Sequence, residues 1–499
     1  MDRTERAGAK EWLGLAVLAL PTLLLSVDAT VLYLALPHLG ADLRPSGTET
    51  LWIIDVYGFM IAGFLITMGT LGDRIGRRKL LLIGALAFGA ASVAAAYATD
   101  PAMLIGARAL LGIAGATLMP STLALITNMF HDPGQRGVAI GVWAACFSAG
   151  VAAGPLIGGA LLELFWWGSV FLLAVPVMVV LLVTAPILLP ESRDPEPGRL
   201  DLLSVLLSLA AILPVIYGLK VVAADGFGLG AVAAVVVGLV FAVLFVRRQK
   251  SLPDPLLDVR LFARPAFLGA LLALLVGLAV VGVVYMFVTQ YLQMVDGRAP
   301  LAAGLWLLPS AVAMIASSMV APALAKRFAP GKLVAAALLV SAVGYLLLAF
   351  VDGPGGLALV VSGLVVVYLG IGPMMALGTD LVVGAAPAER AGSAAAMSET
   401  AMEFGLALGV AVLGSVGTAV YRSELPDGMP ADAVESLAGA LAVGGADVVE
   451  AARSAFTSGL NVVGLVSAVA TVAIAAVTAV LVRGSSAPDH EPVAETSNA

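Results

Sequence analysis

Four carboxylates and one guanidinium stand in stretches otherwise made of apolar residues. Asp28 lies in the run from Trp12 to Pro37, Asp55 in LWIIDVYGF, Glu399 and Glu403 in AAAMSETAMEFGLALG, and Arg108 in LIGARALLGIAGA. A charged side chain at bilayer depth costs about 2.5–3.5 kcal/mol on insertion scales, so such residues face a protein interior or a wet cavity. A carboxylate held there can bind a proton or a cation. Counting back from Pro37, Asp28 is about 13 Å from the end of its run by helix rise, and Arg108 is about 10 Å from the start of its own. For antiparallel spans these ends lie on the same side of the membrane, so one bundle can bring the two together. Glu399 and Glu403, at i and i+4, share one helix face. Their mutual repulsion would be relieved by a proton or by a lipophilic cation. Asp55 falls only about one turn into its run. Structural readings stand beside these: Arg108 as the fastener of a kinked helix, Asp55 as an N-terminal acid favoured by the helix dipole, and the glutamates as protonated interhelical hydrogen bonders.

The elements that position these groups follow from composition. Of 499 residues, 61% are hydrophobic and 12% charged, with a mean hydropathy of +1.04. That combination excludes an ordinary soluble domain. Apolar runs of about 20 residues read as spanning helices, and the expected fold is an all-α membrane protein with fourteen of them. The first, 12–37, is too long for a signal-peptide core and is read as a retained span. A net charge of −7 says little beside its distribution. All but six of the 26 basic residues (Arg44, Arg108, Lys220, Arg298, Arg422 and Arg453) fall in the loops of one face. The positive-inside rule then puts both termini in the cytoplasm, as an even count requires. The expected organisation is a six-helix bundle over 1–190, a linker with two inserted helices over 191–266, a second bundle over 267–482, and a disordered tail over 483–499. Within the second bundle, the acidic outer loop 422–459 reads as solvated and partly disordered.

What is missing also bounds function. Cys146 is the single cysteine, and His38, His131 and His490 do not pair at ligand spacing, so neither a disulfide framework nor a metal site is expected. No phosphate-cradling G-x-x-x-x-G-K-[ST] loop exists to couple ATP. The chain is expected to be no enzyme and to need no cofactor.

Two glycine-rich stretches suggest moving parts. In GTLGDRIGRRK (69–79), Gly69 and Gly76 permit a tight turn, Asp73 can ion-pair, and Arg74 and Arg77 fix topology. In GVAAGPLIGG (150–159), Gly150, Gly154 and Gly158 form a small-residue stripe for close helix packing; Gly159 follows, and Pro155 frees the local backbone. A weak repeat relates the halves: Pro133–Arg136 resembles Pro387–Arg390, and LGDRIGRRK has a degraded partner in LAKRFAPGK at 324–332. Repeats of this kind are a transporter architecture. Tyr57, Trp143, Tyr285, Gln290 and Met402 could line a cavity with Asp55, Glu399 and Glu403, although each also reads as packing.

These motifs together resemble the major facilitator superfamily, whose cytoplasmic loop signature is matched by residues 69–79. GVAAGPLIGG resembles its antiporter motif, and Arg108 with Gly112 resembles its R-x-x-x-G element. Asp28-x-Thr30 followed by Ala35-Leu36-Pro37, with LWIIDVYGFMIAGF, is similar to the fourteen-helix drug:proton antiporters of the quaternary-ammonium efflux type. The resemblance implies a 6 + 2 + 6 helix fold in the plasma membrane and alternating access driven by the proton gradient. It implies proton coupling through Asp28 and Arg108, with Glu399 or Glu403 as a rival site, and Asp73, Arg74 and Arg77 locking the two halves on the cytoplasmic side. Lipophilic cations, protons and membrane lipid are the expected partners, with no nucleic acid and no obligatory protein partner. An exporter of one endogenous metabolite, antibiotic or lipid remains an alternative, and a proton-coupled importer a more distant one.

Overall fold

Residues 7–193, 201–225, 228–252, 255, 257, 259–386 and 391–482 are described by the structure, a computed structural model. The repeat partner Pro387–Arg390 and the tail 483–499 lie outside them. The first half comprises α1 (Ala9–Leu43), α2 (Gly47–Ile75), α3 (Arg77–Ala96), α4 (Pro101–Met129), α5 (Pro133–Leu164), α6 (Ser169–Leu172) and α7 (Ala174–Leu188). An inserted pair follows, α8 (Leu202–Asp225) and α9 (Leu229–Ser251). The second half comprises α10 (Pro265–Gln290), α11 (Pro300–Ala325), α12 (Pro330–Leu348), α13 (Leu357–Gly384), α14 (Ala391–Gly409), α15 (Ser415–Glu424), α16 (Ala431–Glu435), α17 (Leu437–Val443) and α18 (Ala446–Leu481). π-Helical segments Tyr291–Val295 and Val410–Gly414 extend α10 and join α14 to α15. There is no strand among the described residues.

Local chemistry sets the helix starts. Asp100 and Asp132 precede Pro101 and Pro133 and accept from Met103 N at 2.9 Å and Gln135 N at 2.8 Å, placing proline where its missing N–H costs nothing. Ser46 accepts from Glu49 N at 3.2 Å while the Glu49 carboxylate accepts from Ser46 N at 2.9 Å. This reciprocal cap starts α2 at Gly47. Asp55 therefore sits about 12 Å into the helix by its rise, not one turn in, and it is 1% exposed. That corrects its expected place near the surface. The apolar run alone did not show the capped polar turn that precedes it.

Twelve helices among the described residues are long and apolar enough to cross a membrane. Val138–Val151 and Ala153–Leu164, bent by 42°, would make a thirteenth if they form one span, and Leu202–Gly218 is a shorter apolar helix. The segment 422–459 is not the solvated loop expected. Tyr421 Oη donates to Ala433 O at 2.6 Å, Ser436 caps α17 by accepting from Gly439 N at 3.1 Å, and Ala433, Leu437 and Ala440 are buried. They belong to two short helices, α16 and α17, broken at the extended Ser436. α18 begins at Ala446, well ahead of the expected 460.

Candidate functional site

Arg108 is held on three sides. Its Nη1 donates to Asp28 Oδ2 at 3.1 Å, its Nε donates to Ile53 O at 3.1 Å, and its guanidinium carbon lies 4.3 Å from the centre of the Tyr57 ring. The Arg108 and Asp28 side chains are 3% and 7% exposed. Gly112 explains the geometry, because a Cβ there would lie 2.5 Å from Tyr57 O. Only glycine lets α4 ride this closely on α2, and Arg108, one turn earlier, then reaches across α2 to α1. The pair is a buried, hydrogen-bonded ion pair, the arrangement that tolerates loss of one partner least.

Beside it lies a small cleft of about 50 Å³ at the seam between the halves. The first half contributes Leu32, Tyr33, Ile54, Asp55, Tyr57, Gly58 and Arg108; the second contributes Glu403, Leu406, Ala407 and Val410. Gly58 is where the halves approach, since a Cβ there would lie 3.1 Å from Ala407 Cβ. Two carboxylates thus face the space with one guanidinium, and that guanidinium is already matched by Asp28. The wall carries two carboxyl groups beside the Tyr33 and Tyr57 rings, whose faces can receive a cation. Among the described residues no ion pair includes Glu403 or Glu399.

The structure therefore joins residues that the sequence left apart. Asp55, Tyr57, Arg108 and Glu403 meet in one cleft. Asp28 sits behind Arg108, outside the lining, and Glu399 lies one turn along α14 from Glu403, also outside it. Tyr285 is buried and touches the cleft indirectly, packing edge-on against Tyr33 with ring centroids 5.5 Å apart. Trp143 instead donates from Nε1 to Thr122 Oγ1 at 3.2 Å within the first half, and Gln290 and Met402 are half-buried outside the lining. Tyr33 was missed. It lies five residues beyond Asp28, about 140° round α1 from it, so the spacing gave no signal.

The glycine motifs find specific neighbours. A Cβ on Gly150, Gly154 or Gly158 would strike Ser26, Thr30 or Val31 of α1. Gly159 faces the second half, where its Cβ would lie 2.6 Å from Leu301 Cα, and a Cβ on Gly304 would strike the Pro155 carbonyl. The antiporter-like stretch is thus wedged between α1 and α11. In the 69–79 turn, Asp73 pairs with Arg77 at 2.6 Å, Gly76 takes φ +111°, and Arg74 is exposed. Arg78 N donates to Glu191 Oε1 at 3.1 Å, and Arg77 N donates to Ser192 O at 2.9 Å. These contacts tie the turn to the segment that follows α7 in its own half. Glu191 was missed because it follows a span as an ordinary linker acid. The halves meet toward the opposite face, where Gln293 Nε2 donates to Leu34 O at 3.1 Å and Leu301 N to Glu163 Oε1 at 3.4 Å.

The Major Facilitator Superfamily model matches residues 18–410. The chain is 44% identical to the multidrug efflux pump LfrA of Mycolicibacterium smegmatis over 96% of its own length and 98% of that protein. It is 36% identical to the methyl viologen resistance protein SmvA of Salmonella typhimurium, covering 85% of this chain and 86% of that one. It is 34% identical to the puromycin resistance protein pur8 of Streptomyces alboniger, covering 84% of each. The fold superposes on a bacterial homologue of the human lysosomal transporter Spinster, solved inward-facing and unoccupied, with a TM-score of 0.69 at 18% identity over 96% of this chain and 98% of that one.

Proposed function

The chain belongs to the Major Facilitator Superfamily of membrane transporters, and on that premise we propose that it exports lipophilic cations from the cell in exchange for protons. The observation that carries this reading is the cleft at the seam, where Asp55 and Glu403 face one space and Arg108 is already neutralised by Asp28. A cation entering from the cytoplasm would be held by the two acids and the tyrosine rings. Protons arriving from outside would neutralise the acids and release it. Asp28 is the preferred proton carrier, because it is the built-in counter-ion of Arg108, which itself lines the cleft; Glu399 and Glu403 are the alternative. In this reading fourteen helices span the plasma membrane with both termini cytoplasmic, no metal or cofactor takes part, and the proton gradient supplies the energy. Each charge moved with the membrane potential is worth about 2.3 kcal/mol per 100 mV, so proton stoichiometry decides whether a dication can be expelled.

Names of relatives support export: one is a multidrug efflux pump and another confers methyl viologen resistance. The relative named for puromycin resistance favours a second reading, a dedicated exporter of one antibiotic or metabolite. A toxicity panel in a pump-deficient host separates them, using quaternary ammonium dyes, biguanides, fluoroquinolones and puromycin. Broad resistance to the cations is expected, accompanied by substrate-dependent proton release from proton-loaded vesicles. Resistance to no cation would overturn the cationic reading, and substrate accumulation by intact cells would overturn export itself.

A further inference from the structure

The inserted helices occupy a particular place. The two halves meet along two seams, α5 against α11 and α2 against α14. α8 packs on the second seam, against α2 of the first half and against Val410–Gly414 and α15 of the second. Its Ile216 joins Phe59 of α2 and Ala407 and Ala411 of the second half in an apolar cluster separate from the main core. Phe59 and Phe404 meet across the seam with ring centroids 6.1 Å apart. Lower down, Leu209 of α8 fills the notch at Gly63, where a Cβ would lie 2.6 Å from its Cδ2.

The next layer inward is the acid cleft, because Gly58 and Ala407, neighbours of Phe59 and members of the same contact, line it. One layer of side chains therefore separates the cleft from α8. α9, behind α8, turns apolar residues such as Val240, 52% exposed, away from the protein. The hairpin is braced as a unit at its base: Arg248 Nη2 donates to Asp201 Oδ1 at 2.7 Å, Gln249 Nε2 donates to Ser204 Oγ at 2.6 Å, and Leu257 N donates to Gln249 Oε1 at 3.0 Å. Ser204 and Gln249 are 0% and 1% exposed, so the inner part of the clasp is a buried polar network, with Arg248 at its partly solvated rim.

We infer that the α8–α9 hairpin is a lateral seal on the α2–α14 seam, keeping acyl chains and membrane-dissolved amphiphiles out of the acid cleft on that side. The physical need is plain. Without α8, a single phenylalanine pair would stand between two carboxylates and hydrocarbon, where each ionised carboxylate costs about 2.5–3.5 kcal/mol on insertion scales. A substrate arriving from the bilayer must then pass at the α5–α11 seam or enter from the open end of the cleft. The seal matters for transport only if the cleft is the transport site proposed above, but its existence can be tested without transport.

The test uses the full chain carrying Cys146→Ser, reconstituted without substrate or proton gradient, and a maleimide that partitions into lipid. Ala411→Cys, at a fully buried position of the cluster, is expected to label about tenfold more slowly than Val240→Cys, as a close-packed interior requires. Replacing Leu209 and Ile216 by alanine should bring the Ala411→Cys rate severalfold closer to that of Val240→Cys. Phe59→Cys repeats the measurement if Ala411→Cys does not insert. Equal labelling of Ala411→Cys and Val240→Cys overturns the seal, as does an Ala411→Cys rate unmoved by the double alanine change. Labelling by a water-confined maleimide as fast as by the lipid-soluble one also overturns it, since the position would then open to the cleft. None of these readouts depends on cation export.

Discussion

Asp28 and Glu403 are both carboxylates at membrane depth, yet their surroundings are opposite. Asp28 has its counter-ion built in, 3.1 Å away and closed off by Tyr57 and the Ile53 carbonyl. Glu403 faces open space with Asp55 across the seam and Glu399 one turn away on its own helix. The first arrangement is neutral and complete, so it changes only when a proton or a conformational step separates the pair. The second borders a cleft, so it can also meet whatever enters. Under the proposed function the first would serve coupling and the second cargo, joined through Arg108, which touches both.

The largest effect should come from breaking the first site. Asp28→Asn leaves Arg108 buried without its partner, and removing one member of a buried pair costs about 3–5 kcal/mol. The expected outcome is loss of coupled efflux and a lower melting temperature in detergent. Adding Arg108→Gln should recover much of the stability, because no orphaned charge remains, but none of the transport. Full substrate-dependent proton release from Asp28→Asn vesicles would remove Asp28 from the coupling role and leave the glutamates to carry it.

Changing the second site should be milder and selective. Glu403→Gln removes a charge facing the cleft; at an effective dielectric of 20 and a separation of about 5 Å this is worth roughly 3 kcal/mol for a bound monocation. Water in the cleft reduces that, so a tenfold to hundredfold weaker apparent affinity is expected, larger for dications and absent for neutral compounds. Glu399→Gln, one turn outside the lining, should cost only about a few-fold by the same reasoning. Dose–response curves for matched neutral, singly and doubly charged substrates would check the order. If Glu399→Gln proves the more damaging, the cation sits deeper along α14 than the cleft does.

Much of this was legible in the residues themselves. Charge within apolar runs marked Asp28, Asp55, Arg108 and both glutamates, and the glycine spacing marked α5 as a packing helix. Three kinds of information were not local. Gly112 looks like any small residue until α2 lies against it, so the reason for its spacing from Arg108 appears only in three dimensions. Glu403 and Asp55 belong to opposite halves, and only the meeting of α2 with α14 puts them in one cleft. Tyr33 and Glu191 carry no unusual chemistry and became visible only by contact. The outer segment misled for a different reason: its acids dominated the composition while a few buried apolar residues, Ala433, Leu437 and Ala440, decided its structure.

A third ion pair calibrates the first. Asp201 and Arg248 are closer, at 2.7 Å against 3.1 Å, but their side chains are 13% and 32% exposed, against 7% and 3% for Asp28 and Arg108. Partial burial alone would raise the Asp201 carboxyl, yet hydrogen bonds from Arg248 and Ser204 outweigh it and hold the group below its ordinary value of 3.8. A depressed folded value means the pair stabilises the hairpin fully above the ordinary value and ceases to do so as pH falls through the folded one. Because Arg248 is partly solvated, Asp201→Asn should cost no more than about 1 kcal/mol at neutral pH, several times less than Asp28→Asn. The difference in melting temperature between Asp201→Asn and the parent chain should then shrink as the medium is taken below pH 3.8. Efflux at neutral pH should be nearly unchanged. If Asp201→Asn instead destabilises the chain as much as Asp28→Asn does, burial is not what separates the two pairs, and the special standing given to Asp28 would need another cause.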